Sequence, residues 1–307
     1  MAFSENTMSV TLPGEREIQL PLYEADEDSN DYTTPTSRQV LRIAINLKHL
    51  IDKLIPISIE LDDITSQDSI IINDQVIKAV KLAAGGEGQG KGSSAMRYQA
   101  PLVFCLLQVS NWYYQLMLNE LSDTELYRAR KTAAETIASN LLEKEEDDKY
   151  LLLSMLCHRY SINLNDEDSD PANVMELAVD MHCTTVISSS GYQRCVKWLW
   201  RGWIVQASTD SSEYVLYKGN RNVDFAAHFD PDRIKTPLYQ NIFEILFSFI
   251  YLGLYTYIIN NDTEDYQLGL VEMVYYLFTL GFALDELTKF YHIGYNYLNL
   301  SNGFNCY

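Results

Sequence analysis

The residues of this sequence best suited to chemistry fall into a few sets, and spacing tests each one. Gly85, Gly90 and Lys91 form a G-x-x-x-x-G-K run, the outline of a phosphate-binding loop. Gly92 follows where that loop needs Ser or Thr for magnesium, and the residues before it have helical spacing, not that of a strand. A flexible linker over residues 85–94 is the better reading. Cys157-His158, His182-Cys183 and Cys195 lack the short Cys-to-Cys or His-to-His spacings of a zinc site. They read as cysteines packed between helices, and no metal site is expected. Ser188-Ser189-Ser190-Gly191 has no strand before it, so it is no nucleophile elbow. Nothing here supports an enzyme.

Two further sets concern ions and lipids. Asp285 and Glu286 follow an apolar run at 273–284, and ionisable groups at membrane depth are functional candidates. The bland alternative is an i,i+4 pair of Asp285 with Lys289. Arg194, Lys197, Arg201, Arg233 and Lys235 form a basic set before the most apolar window. They would suit phosphoinositide head groups, or express only the bias that keeps basic residues on the cytosolic side.

The elements that must position these residues are helical. Val40, Leu41, Ala44, Leu47, Leu50, Ile51 and Leu54 recur at spacings of three and four, one apolar helix face, and Pro56 should end it. Shorter or longer helices are expected at 76–84, 101–121, from a Ser122-to-Glu125 capping box to about 144, at 150–160, at 172–182 behind an Asp170-Pro171 start, and at 191–205. The 101–121 run is apolar, yet Gln108, Ser110, Asn111 and Gln115 interrupt it, so a buried core helix is expected there. Residues 1–34 read as a disordered acidic tail. A short strand pair is expected at 214–217 and 223–226. The division is therefore tail 1–34, helical cytosolic domain with pre-membrane linker 35–206, connecting segment 207–238, two transmembrane helices within 239–298, and tail 299–307. The fold class is all-α, a helical cytosolic domain followed by a transmembrane helical hairpin.

The 307 residues carry a formal charge of −19 and are 47% hydrophobic. So acidic a chain excludes nucleic-acid wrapping. Five cysteines at irregular spacing imply no disulfide framework, and the N-terminus lacks a signal peptide's basic and apolar regions. Residues 240–260 are long and apolar enough to cross a bilayer core of about 30 Å; residues 268–293 are a second, less clean window. Tyrosines cluster around both, as an interfacial belt would. Basic residues before the first window and none between the two put the N-terminal domain in the cytosol. Asn261-Asp262-Thr263 in the intervening loop is a glycosylation sequon, with Asn261 the candidate acceptor.

Several stretches resemble fungal members of the transient receptor potential (TRP) channel family, the vacuolar calcium-permeable type. They are 36–53, 175–187, Gln193-Arg194-Cys195 with 198–203, 247–256, and 281–295. Leu177, Ala178, Gln193, Trp200 and Gly202 match that family's pre-membrane linker pattern. The resemblance implies a multi-pass cation channel of the vacuolar membrane with a cytosolic N-terminus. Further channel subunits, as a homotetramer in the full-length protein, and membrane lipids including phosphoinositides would be its partners. Calcium would be the transported or a regulatory ion, and no other cofactor is implied. It also implies six transmembrane helices with a pore between the fifth and sixth. This chain ends at Tyr307, just beyond the second, and residues 301–307 do not match what should follow, so the pore region is expected to be absent from it. The alternatives are a non-conducting helical scaffold or regulatory subunit anchored to the same membrane, and a wholly soluble helical domain in which 240–293 is core.

Overall fold

The structure, a computed structural model, describes residues 6–12, 16–22, 34–66, 69, 71–86, 93–164, 166–207, 213–217, 231–261 and 269–293. The chain divides into two compact units, Met1–Arg233 and Ile234–Tyr307.

The first unit is a helical array around one apolar core. Helix α1 (Ser37–Leu54) opens with a capping box in which Gln39 N–H donates to the Thr36 hydroxyl and Thr36 N–H to the Gln39 side chain. Its buried face is Val40, Ile43, Ala44, Asn46, Leu47, Leu50 and Ile51; five of the seven residues of the predicted stripe are in it, Leu41 and Leu54 are half-buried at its edges, and Ile43 and Asn46 join it. It stops before Pro56, whose ring restricts the preceding residue. Helices α2 (Leu61–Thr65), α3 (Asp74–Ala83) and α4 (Ser94–Gln99) are short. Helices α5 (Leu102–Asn119) and α6 (Thr124–Lys144) pack against each other along the core. The α5 run Leu102–Leu107, with Val109, Ser110 and Tyr113, is buried. That apolar stretch is core and spans no membrane.

Polar groups set the angle of α6. Arg130 lies 2.7 Å from Asp52 Oδ1 and donates through Nε to the Ile55 carbonyl at 3.0 Å. The Tyr113 hydroxyl donates to Asp52 at 2.9 Å, and Lys48 sits 2.9 Å from the other carboxylate oxygen. Burial and the Asp52 charge hold the Tyr113 phenol well above its usual range. One carboxylate thus ties the end of α1 to α5 and α6.

Beyond α6, Tyr150–Cys157 is a π-helical segment, where periodicity predicts an ordinary helix. Its wider turn sends Leu151, Leu152, Met155, Leu156 and Cys157 into the core. A small hairpin, β3 (Asn163–Leu164) with β4 (Glu167–Asp168), follows. Then come α7 (Val174–Asp180), α8 (Thr184–Ile187), α9 (Ser190–Trp200), and the antiparallel pair β5 (Ile204–Gln206) and β6 (Tyr214–Leu216). The second unit holds two helices of 24 residues, α11 (Pro237–Asn260) and α12 (Leu270–Ile293), after the single turn α10 (Pro231–Ile234).

Four expectations are corrected. The acidic tail contains an antiparallel hairpin, β1 (Asn6–Leu12) with β2 (Arg16–Leu22). Met8, Val10 and Leu12 alternate with polar residues, as Ile18, Leu20 and Leu22 do, a period of two that overall acidity hides. The Ser122 capping box does not form: Leu121–Asp123 is a 3-10 turn running into α6, so Ser122 never takes a cap's extended backbone. Helix α7 begins behind Asn173, whose side chain accepts from Glu176 N–H at 2.7 Å. Ala172 is already committed to paired backbone bonds with Tyr160. Finally, β6 pairs with β5; residues 223–226 lie outside the described residues.

Asp168 accepts from Ser37 Oγ at 2.7 Å and from Asn163 at 2.6 Å, clipping the β3–β4 hairpin to the start of α1. These bonds, that from Asn163 first, hold its carboxyl below the usual range. A depressed carboxylate stabilises above its unfolded value of about 3.9 and loses that contribution as pH falls through the lower folded value. Amide exchange in the first turn of α1 should therefore rise on acidification below about pH 4, and Asp168→Asn should remove that pH dependence. Separately, Asp52→Ala should cost about 2–4 kcal/mol in thermal unfolding, because it strands Arg130 in a site where it is largely buried.

Candidate functional site

The linker residues are best understood from how α7 and α9 end. At α7, His182 N–H donates to Val179 O at 3.0 Å and Cys183 N–H to Ala178 O at 2.9 Å. His182 takes φ +53°. At α9, Gly202 N–H donates to Leu199 O at 3.1 Å and Trp203 N–H to Trp198 O at 3.0 Å, with Gly202 at φ +67°. Both are paired left-handed terminations that satisfy the last carbonyls of a helix. The apolar contact that accompanies such an ending is Trp198 against Trp203, edge to face with ring centroids 5.4 Å apart. The Trp-x-Gly pattern is therefore a chain reversal with its own aromatic clasp. Trp200 is 43% exposed and takes no part in it.

The other pattern residues are structural as well. Ala178 is buried and Leu177 half-buried against the core. Gln193 donates from its amide to the Ile187 carbonyl at 2.8 Å, holding α8 to α9. Gly191, outside the predicted set, lets α9 approach α6: a Cβ there would sit 2.6 Å from the Leu142 carbonyl oxygen. Its place in the first turn of α9 gave no sequence signal of that approach.

Arg194, Lys197 and Arg201 fall at spacings of three and four, one stripe of α9 continued through its cap. Arg194 lies 2.5 Å from Asp148. The Arg201 guanidinium rests 5.2 Å from the Trp203 ring centroid. Lys197 is exposed. Lys235 is exposed in the second unit, and the side chain of Arg233 lies outside the described residues. The structure thus joins three of the five predicted basic residues on one face.

In the second unit, α11 and α12 are zipped by aromatic rings. Tyr251 stacks on Tyr275 with centroids 4.9 Å apart, and Phe282 meets Tyr251 edge on at 5.3 Å. The two hydroxyls are 3.0 Å apart, and Thr279 donates to Tyr251 at 3.3 Å. Tyr251 and Tyr275 therefore pack between the two helices of the hairpin. Beside this zipper is a groove of about 970 Å³ lined by Lys235, Gln240, Glu244 and Asp285 over Phe243, Phe247, Phe278 and Phe282. Gly281 faces it, with nothing within 4 Å of where a Cβ would stand. Asp285 joins this site. Glu286, exposed on α12, is not among its lining, and the side chain of Lys289 lies outside the described residues. Glu244 shares this groove with Asp285 only through the packing of the hairpin. Asn261 is exposed at the end of α11.

The cysteine sets stay apart from any site. Cys105, Cys157, Cys183 and Cys195 are buried free thiols. The Cys157 and Cys195 sulfurs are 3.5 Å apart, and burial pushes the Cys183 thiol up to about 12. Among the described residues no three His, Cys, Asp or Glu side chains come together to hold a metal. Residues 87–92, with Lys91 of the loop-like run, lie outside them.

Among the described residues α11 is the one helix long and apolar enough to cross a membrane. Its best 18-residue window has mean hydropathy 1.8, with none of it buried. A soluble core helix would hide such a surface.

Comparison with known proteins agrees along most of the chain. The family model described as the TRPY1 N-terminal linker helical domain matches residues 40–229. A second, described as the calcium channel YVC1-like C-terminal region, matches 247–307. That match includes the closing residues 301–307, which the resemblance had left out. The chain is 57% identical over 273 residues to "Calcium channel YVC1" of Candida albicans, covering 88% of this chain and 40% of that protein. It is 45% identical over 278 residues to the Saccharomyces cerevisiae protein of the same name, covering 89% and 41%. A solved structure, "PI3P and calcium bound full-length TRPY1 in detergent", superposes with TM-score 0.71 at 43% identity, over 87% of this chain and 48% of that one. The chain spans about two fifths of the curated relatives it matches.

Gly202→Ala should lower stability by about 1 kcal/mol through left-handed strain. Gly191→Ala should cost more, because its Cβ meets backbone. Thermal unfolding of the full chain in detergent reads both. In the hairpin, Tyr275→Ala should weaken helix–helix association more than Tyr275→Phe, which keeps the stacking and loses a bond worth about 0.6 kcal/mol in membranes.

Proposed function

The chain belongs to the TRPY1/YVC1 family of calcium channels, and on that premise we propose that it is the cytosolic helical domain and first membrane hairpin of a calcium-permeable TRP-type channel subunit of the fungal vacuolar membrane. The observation that carries this reading is the unburied apolar surface of α11, in a chain whose residues 40–229 match the linker helical domain. In this reading α11 and α12 cross the bilayer, the helical unit is cytosolic, and Asn261 faces the lumen. The subunits assemble as a homotetramer. The linker from α7 to α9 passes force or ligand signals towards a pore that lies outside these two crossings.

Two ligand assignments belong to the same proposal. Phosphoinositide head groups are met in the first unit by Lys197 and Arg201 beside Arg194, and Arg233 and Lys235 are separate candidates for the same chemistry. A solved relative is described as bound to PI3P and calcium, which supports this choice of chemistry. Glu244 and Asp285 supply the acidic side of a cation site in the hairpin groove, with Glu286 beside it. Two carboxylates fall short of the six to eight oxygens calcium takes, so further segments of the full-length protein complete the shell.

The test is a chimera. This chain replaces the matching segment of the Candida albicans relative, and vacuolar membrane currents are recorded. A calcium-permeable current supports the channel reading. A chimera that inserts, assembles and stays silent favours the non-conducting scaffold. Asn261→Gln should remove a glycan-dependent mobility shift if the loop is lumenal, and an unshifted wild-type chain counts against that topology.

A further inference from the structure

We propose that α9 is an interfacial anchor, in which Val196 and Trp200 enter the headgroup boundary of an anionic bilayer while Lys197 and Arg201 engage its surface charge. The proposal rests on the reading of this chain as a membrane protein and adds a contact that reading does not require. It starts from an oddity of burial. Helix α9 buries Gly191, Tyr192 and Cys195, yet leaves Val196 at 38% and Trp200 at 43% exposure. These two lie four residues apart, one row along the helix. Lys197 and Arg201 form the adjacent row. Trp198 and Trp203 already meet the needs of the helix ending, so Trp200 has no part in closing the fold.

Charge selects the occupant. The chain carries −19 overall, but between Asp180 and Asp210 it has no acidic residue at all. Arg194 is matched by Asp148, which leaves Lys197 and Arg201 as the cations presented beside the apolar row. A cationic face carrying a tryptophan, in an otherwise acidic protein, complements an anionic leaflet. A tryptophan ring favours the headgroup boundary, where one side is apolar and the other wet, and the stems of Lys and Arg can lie along the same apolar surface.

The sequence supplies a clean reporter. The chain has four tryptophans, Trp112, Trp198, Trp200 and Trp203, and all lie in the first unit, so fluorescence senses that unit and not the hairpin. The full chain is reconstituted in vesicles of phosphatidylcholine with phosphatidylserine that carry a nitroxide at a shallow acyl position. The expected result is strong quenching, of which Trp200→Phe removes more than half and Trp112→Phe almost none. Lys197→Glu with Arg201→Glu should reduce the quenching in phosphatidylserine vesicles to the level in phosphatidylcholine alone. If the chain is inserted and Trp200→Phe leaves quenching unchanged, the inference falls while the channel reading stands. If carbonate strips the chain from the vesicles, the channel reading falls, and quenching of the soluble chain by added vesicles then decides the anchor on its own. A Trp200 untouched by lipid nitroxide but shielded from acrylamide assigns the face to a protein contact and overturns the proposal.

Discussion

The constraint on which the first unit depends is a carboxylate that cannot be left unanswered. Glu135 is 7% exposed in the middle of α6. It accepts from Ser110 on α5 at 2.9 Å, from Lys131 one turn back at 2.5 Å, and from the Cys183 thiol at 3.4 Å. A buried charge with a partner missing costs several kcal/mol, so few rotations of α6 against α5 are allowed. The same contacts fix where the chain turns after α7. Because α8 and α9 follow that turn directly, the linker inherits its place from one side chain on α6.

Helix endings carry that placement forward. The π-helical segment and the paired terminations of α7 and α9 are local departures from regular helix, and Gly191 lets α9 lie close to α6. His182 holds a left-handed backbone that glycine adopts at little cost, and the Cys183 contact to Glu135 is made by the very next residue. Strain at the turn is thus tied to satisfaction of the buried acid.

The hairpin is built on a different principle. In the proposed reading of α11 and α12 as membrane crossings there is no water to expel, and the two helices associate through ring packing and a few hydrogen bonds. The stacking of Tyr251 on Tyr275 and the shared hydroxyl bond with Thr279 supply both. The groove beside them is open because Gly281 offers no side chain to fill it. Aromatic floor and polar rim each draw on both helices, which is why neither helix alone announces the site.

Much of this was legible in order along the chain. Period-3.6 spacing determined α1 and its core face, and Pro56 determined its end. The length and apolarity of α11 set it apart from every other helix, and the polar interruptions of α5 marked it as core. These are properties of neighbouring residues, and local physics is enough to state them. Only the tertiary structure decided the rest. It withheld a cap from Ser122, moved the start of α7 to Asn173 by committing Ala172 to Tyr160, and ended α9 at Gly202 inside a predicted longer helix. It also turned Tyr251 and Tyr275 into a clasp, joined Glu244 to Asp285, and left Trp200 outside on a basic face. The start of α7, the tyrosine clasp and the shared groove depend on partners distant in the chain, whose burial or hydrogen bonding outweighs a local preference of about 1 kcal/mol.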